Sequence, residues 1–405
     1  MAAVRRRWAG RLAWAAAALL LLLALRLYPP LRHPLDAALL AQALFAGEER
    51  SWLARWTSPP ERLEAGEVDL YRPAAGDAPP RGCVLLAHGM TDLGRRDPRL
   101  AAFARALARL GFAVAAPELP GMRRFRPDPE DVDRIAAGFA WLEGQYAASG
   151  LRCGLLAFSF AAGPALMAAA RPGAASRAAC LIAVGAYHDL RAVLRHLTTG
   201  GREDEPAFPG GPPVRVGKWL FLRYNAELLG LEGHREEAEA IVRLKLADER
   251  AEIAPLVERL PERLRPLLAL IENKDPSRFD ALYAAQPPEL RARLEGWSME
   301  EVVGRTRLPI FLLHGRGDPF VPPSESLRLA ERARERPGAG VRLLVLDVLG
   351  HVDPGEKALS LGGALEAVRL LGFVSEALTA MEGSSGPSWR VRLSRSGGWL
   401  PAGAV

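Results

Sequence analysis

Along the chain, short continuous apolar runs alternate with longer stretches in which apolar residues recur every three to four positions. Gly82 to Ala87 (GCVLLA) is one such run, ending in His88-Gly89-Met90, and it suits a strand buried on both faces. Phe112 to Ala116 repeats the pattern and stops at Pro117, and Gly154 to Phe158 and Cys180 to Val184 follow. Between these runs lie helical periods: Asp97 to Leu110, opening on Pro98 and closing on Gly111, then Asp131 to Ala148 and Phe160 to Ala170. Repeated strand-helix-strand units predict an α/β fold, a mostly parallel doubly wound sheet with helices on both faces. Arg62 to Arg72 alternates enough for an edge strand. The rhythm breaks from about Leu190 to Arg307, where helical pieces fall near Val216 to Leu229, His234 to Arg250, Pro261 to Ile271 and Pro288 to Gly296, with no strand pattern. It resumes with a strand at Ile310 to Leu313, a helix at Ser324 to Arg336, a strand at Val341 to Val348 and a helix near Ala358 to Met381.

The ends of the chain read differently. Leu12 to Leu25 is wholly apolar, about 21 Å as a helix against a hydrocarbon core of roughly 30 Å. Extended to Trp8 and Tyr28, with Arg11 and Arg26 able to snorkel, it becomes long enough to span. A cleaved secretory signal is the competing reading, but Arg26, Pro29 and Pro30 follow with no small-residue cleavage site. An uncleaved single-pass transmembrane helix is therefore expected over residues 1–32. Four arginines precede the run and two follow, which places the body outside, periplasmic in a bacterial cell. A Pro-rich hinge at Tyr28 to Pro34 and an amphipathic linker helix within 33–61 would join anchor to body, and residues from Glu382 onward, rich in Gly, Ser and Pro, read as a disordered tail.

Charge sharpens this picture. The chain of 405 residues has 53 basic and 47 acidic residues, a net charge of +6 that at face value invites a polyanion partner. Residues 1–32 hold Arg5, Arg6, Arg7, Arg11, Arg26 and Arg32 and no acid, so the body is neutral and no nucleic-acid partner is expected. Cys83, Cys153 and Cys180 sit in the apolar runs, and an odd count without C-x-x-C spacing argues against a disulfide framework or a zinc site.

Three residues in one order carry candidate chemistry. Ser159 lies at the junction of a buried strand and a helix, where a tight turn can lift its hydroxyl clear of the backbone. The usual G-x-S-x-G glycines are replaced by Ala157 and Ala161. Alone, such a serine is more often a helix N-cap than a nucleophile. Asp318 follows the Ile310 to Leu313 strand in a turn-rich loop, and His351 follows the last strand. An imidazole can take the serine proton while a carboxylate fixes its tautomer, and all three lie where a doubly wound sheet gathers its sites. The oxyanion would be held by the backbone N–H of Phe160 and of Met90. His88 and His314 read as structural, and His188 with Asp189 as either pocket lining or capping. Gly211 to Lys218 resembles a phosphate loop, but Trp219 stands where Ser or Thr is needed and no strand precedes it.

These residues resemble the α/β-hydrolase superfamily over about 62–189 and 306–381, through His88-Gly89-Met90, Pro117-Glu118-Leu119-Pro120-Gly121, the Ser159 elbow, the Asp318 loop and His351. Residues 190–305 sit where many members insert a helical cap, whose Trp219-Leu220-Phe221-Leu222 stripe reads as cap core or as a lid over an apolar site. The resemblance implies a serine hydrolase working through an acyl-enzyme with no metal or organic cofactor. The expected activity is hydrolysis of carboxylic esters with a hydrophobic acyl group. A peptidase or amidase of the same fold and a non-catalytic binding protein are the alternatives, and an Asp nucleophile is disfavoured because Ser holds the elbow.

Overall fold

Among the residues described by the computed structural model (29–74, 79–200, 215–224, 229, 231–338, 340–347, 349–350 and 361–382), one sheet organises everything else. Its strands are β1 (Glu61–Ala65), β2 (Val68–Arg72), β3 (Gly82–Ala87), β4 (Phe112–Pro117), β5 (Cys153–Phe158), β6 (Leu181–Val184), β7 (Ile310–Gly315) and β8 (Val341–Leu346). Their spatial order is β1-β2-β4-β3-β5-β6-β7-β8, parallel from β4 through β8, with the β1–β2 hairpin added antiparallel at the β4 edge. The expected single edge strand over Arg62 to Arg72 is thus two strands, folded at Gly66, whose φ of +61° is a turn conformation that glycine adopts freely.

Strand residues alternate between two apolar layers. On β3, Cys83, Leu85 and Ala87 face one layer while Val84 and Leu86 face the other. The second layer is closed by α1 (Pro29–Ala46), α2 (Pro98–Arg109) and the C-terminal α7 (Leu361–Glu382). The first is closed by α3 (Pro129–Gln145), α4 (Ala162–Ala170) and α6 (Pro323–Arg334), with α5 (Leu190–Thr199) and the other helices between β6 and β7. Those insertion helices have their own apolar interior, in which Trp219 and Leu222 are fully buried. Asp97, Asp128 and Asp189 cap α2, α3 and α5 by accepting the amides of Arg99, Glu130 and Arg191.

The N-terminal expectation needs correction. Residues 1–28, which hold the apolar run, lie outside the described residues. Among the described residues no helix is long and apolar enough to cross a membrane, so the single-pass membrane anchor and the extracytoplasmic placement built on it are withdrawn. The expected hinge at Tyr28 to Pro34 is, from Pro29, the start of α1. This helix is no free linker, because Ala37, Leu39, Leu40 and Ala43 are buried against the sheet layer and α1 packs along α7. Its start is tied down by charge: Glu382 at the end of α7 is engaged by Arg32, by His33 at 3.0 Å and by Arg81, which also binds Asp36 at 2.7 Å. Burial alone would raise the Glu382 carboxyl, but His33 and Arg81 hold it below its ordinary range.

The cysteine reading also changes. Cys83 and Cys153 are register partners on β3 and β5, their Cα atoms are 4.4 Å apart, and they form a disulfide that closes a separation of 70 residues. Cys180 is the buried free thiol, as its apolar context implied.

Candidate active site

Ser159 follows the last residue of β5, at the edge of the sheet where the parallel strands end. Its φ is +53°, in the left-handed region that a side chain other than Asn or Asp rarely occupies. The side chain caps neither the short turn Ser159–Ala161 nor α4, whose N-caps are Phe158 and Ala161, so the N-cap reading is not realised. The backbone here is strained to hold a buried serine at a strand-to-helix turn.

The neighbours of this turn explain how it forms with alanine on either side. Ala87, Ala157 and Ala183 stand in register across β3, β5 and β6, all fully buried beneath the helix that Ser159 introduces. Three methyl groups in a row let α4 approach the sheet closely. The glycines that the turn does require lie elsewhere. A Cβ on Gly89 would lie 3.1 Å from the Phe158 carbonyl oxygen and 3.3 Å from Ser159 Cβ, and one on Gly163 would meet the Tyr187 hydroxyl at 2.0 Å. Tyr187 is fully buried, packs its ring at a tilt against Phe160 with centroids 5.4 Å apart, and burial raises its hydroxyl well above the ordinary range.

Gly89 brings the loop after β3 against the elbow. His88 fixes that loop: its Nε2 accepts the Leu119 amide at 3.0 Å and its Nδ1 donates to the Gly89 carbonyl at 2.9 Å. These partners require the neutral ring, and burial pushes the His88 pKa down in the same sense. Met90, next along, lines the same cavity as Ser159. Phe160 directly follows the serine.

Asp318 is buried in the loop after β7. Its Oδ1 accepts the amides of Phe320 at 2.8 Å and Val321 at 3.0 Å, and its Oδ2 lies 3.4 Å from His314 Nε2. His314 is itself locked between the Val321 carbonyl, 2.9 Å from Nε2, and the Ser326 hydroxyl, 2.7 Å from Nδ1. The loop is therefore held from within, and Phe320 at its tip faces the Ser159 cavity. His351 lies outside the described residues. The chain leading to it does not: Leu349 lines the same cavity, and the Gly350 carbonyl packs so close to β7 that a Cβ on Gly315 would come within 1.8 Å of it.

Sequence reasoning missed Gly315, Gly163 and Glu325. Glu325 is fully buried at the start of α6, its Oε2 accepting the amides of His188 at 2.9 Å and Asp189 at 2.6 Å, and burial raises its pKa to about 7. It pins the exit of β6, and with Asp189 capping α5 that pair reads as structural, not as pocket lining. The Asp-Pro-x-Val-Pro-Pro segment before it gave no hint of this bond, because the partner amides lie more than a hundred residues away.

The cavity containing Ser159 has a volume of about 720 Å³, within the roughly 300–1,000 Å³ of small-molecule sites. Leu156, Phe158, Ile182, Val184 and Leu313 give it an apolar floor on the sheet face covered by α1, α2 and α7.

The strand order, the antiparallel hairpin at one edge, the left-handed serine after β5 and the helical insertion after β6 are those of an α/β-hydrolase-like fold. No family model matches the sequence, and no curated protein matches it. Solved structures align at low identity. A dienelactone hydrolase from Anabaena variabilis is 16% identical with a TM-score of 0.40, over 80% of this chain and 99% of that one. A Pyrococcus horikoshii acylaminoacyl peptidase is 10% identical with a TM-score of 0.46, over 82% of this chain and 43% of that one. A carboxyl esterase from Bacillus coagulans is 15% identical with a TM-score of 0.40, over 80% of this chain and 98% of that one. At these TM-scores the strand order, not the alignments, assigns the fold.

Proposed function

We propose that the protein is a serine hydrolase that cleaves carboxylic esters through an acyl-enzyme on Ser159. The observation that carries this reading is the φ of +53° at a serine between a buried strand and a helix, a conformation with a stability cost at a residue that caps neither flanking helical turn. Ser159 Oγ attacks the ester carbonyl while His351 takes its proton. The tetrahedral oxyanion is held by the amides of Met90 and Phe160, and it collapses as His351 hands the proton to the departing alcohol. Water, deprotonated by His351, then attacks the acyl-enzyme, and the proton returns to Ser159 as the carboxylic acid leaves. Asp318 orients His351 and stabilises the imidazolium. Its Oδ1 is held by two backbone amides, which fix the carboxylate in the loop after β7. Residues 62–189 and 306–381 form the catalytic body in this reading, with 190–305 as its cap.

The test is labelling with a short fluorophosphonate beside Ser159→Ala, followed by turnover of p-nitrophenyl acetate and of an aminoacyl p-nitroanilide. Labelling of the wild type alone, with ester but no anilide turnover, is expected. Labelling that persists in Ser159→Ala overturns the nucleophile, and a folded wild type that is not labelled overturns the enzyme reading in favour of a binding protein.

A further inference from the structure

Among the described residues, none of the helical insertion between β6 and β7 lines the cavity that starts at Ser159. It runs instead down the other layer of the protein, along β5. Its near end is formed by Ser159 and Met90. Its far end is Met381, whose side chain rests on Gly154, where a Cβ would lie 3.0 Å from Met381 Cγ. Between them the floor is Leu156 and Ile182, and the walls include Leu40 of α1, Ala106 of α2, and Phe373 and Ala377 of α7. Gly154 and Ser159 are five residues apart on an extended strand, so the channel is about 17 Å long. The charged groups at its rim already have partners: Asp97 binds Arg99 at 2.9 Å, Glu48 binds Arg105 at 2.7 Å, and Arg109 donates to the Thr57 carbonyl at 2.9 Å.

A channel that is mostly apolar and headed by a nucleophile matches an alkyl chain better than a peptide, whose backbone groups would lose their hydrogen bonds there. An extended alkyl chain advances about 1.25 Å per carbon, from a bond of roughly 1.5 Å, so about thirteen methylenes fill the distance. We infer that this channel is the acyl-chain site, and that the enzyme prefers esters of long straight-chain fatty acids, with the tail lying between the sheet and α1, α2 and α7. The inference rests on Ser159 as the nucleophile and goes further by naming the acyl class and where its tail lies. It also gives α1 a role: the helix expected to be a linker is a wall of the site.

The test separates the channel from the chemistry. Binding of straight-chain carboxylates from butyrate to palmitate is measured by calorimetry on Ser159→Ala. Affinity is expected to rise about fourfold per methylene up to about myristate and then level off, with a negative heat-capacity change. Ala377 lies one helical turn, about 6 Å, before Met381, so Ala377→Phe is expected to move that break to acids shorter by about four or five carbons. The same shift is expected in kcat/KM for p-nitrophenyl esters of the otherwise wild-type enzyme. Ala106→Phe, from the opposite wall, gives a second plug should the first variant fold poorly. Affinity that is flat beyond hexanoate overturns the channel, as does a break that stays in place in a plug variant melting like its parent. Chain-length-dependent binding to a protein whose Ser159 takes no fluorophosphonate overturns the esterase and leaves a fatty-acid site, so the two failures are told apart.

Discussion

If Ser159 is held in the left-handed region by its surroundings, replacing it should reveal the strain, and alanine and glycine should report it with opposite signs from an ordinary helix start. Both substitutions remove the hydroxyl, so the difference between them isolates the backbone. Left-handed φ costs an L-residue about 1–2 kcal/mol, and alanine at 159 keeps that cost because φ is +53°. Glycine removes it but loses about 0.5–1 kcal/mol more backbone entropy on folding. The balance leaves Ser159→Gly more stable than Ser159→Ala by about 0.5–1 kcal/mol. At a position with ordinary helical φ the order reverses, with glycine less stable by up to about 1 kcal/mol. Urea unfolding followed by circular dichroism measures both, and an unchanged slope with denaturant shows that the native and unfolded states are comparable. Neither variant should hydrolyse esters or take a fluorophosphonate. A glycine variant less stable than the alanine variant would falsify the strained-elbow reasoning, whatever the activities.

Three further outcomes follow from the same geometry. Gly315→Ala places a methyl 1.8 Å from the Gly350 carbonyl, so the segment leading to His351 must move; ester kcat/KM should fall about 100-fold, the scale of a 1 Å misplacement, whereas Gly317→Ala, with nothing within 4 Å, should be nearly neutral. Glu325 keeps its proton to about pH 7 in the folded protein against 4.5 when unfolded, so the native state binds more protons across that window and stability falls as pH rises through it. Asp131, also raised to about 7 by burial, contributes in the same sense, so Glu325→Gln should make the decline between pH 5 and 7 in a thermal-melt series shallower, by at most about 3 kcal/mol, without abolishing it; an unchanged slope would refute the assignment. Unfolded without reductant the protein should titrate one thiol, Cys180, and three after reduction, and Cys153→Ala should lose about 2–4 kcal/mol for the 70-residue closure.

Much of the fold was legible because parallel strands are buried on both faces and so appear as unbroken apolar runs. β3 through β7 are found within a residue or two of where those runs lie. What was not legible depended on pairing. The Cys83–Cys153 bridge follows from the register of β3 on β5, which no spacing between the two cysteines encodes. The start of α1 was hidden by Pro29, Pro30 and Pro34, which suggest a hinge, while its anchoring to Glu382 depends on residues some 350 positions away. The β1–β2 hairpin was hidden because β1 is exposed along its whole length and carries no apolar signal.

The elbow shows why a sequence signature can fail while its geometry persists. A glycine on each side of the nucleophile is one way to let strand, helix and loop approach, but the requirement is space, not glycine at those two positions. Here Ala157 lies in a row with Ala87 and Ala183, so the helix settles onto methyl groups on three neighbouring strands, and the closest approaches fall at Gly89 and Gly163. The clearance has been distributed over five segments, each supplying one small residue that is unremarkable in its own context. Substituting Gly163 with alanine should therefore harm the protein more than restoring glycine at Ala161, since a Cβ at 163 meets the Tyr187 hydroxyl at 2.0 Å, whereas the methyl of Ala161 is already accommodated in the buried core.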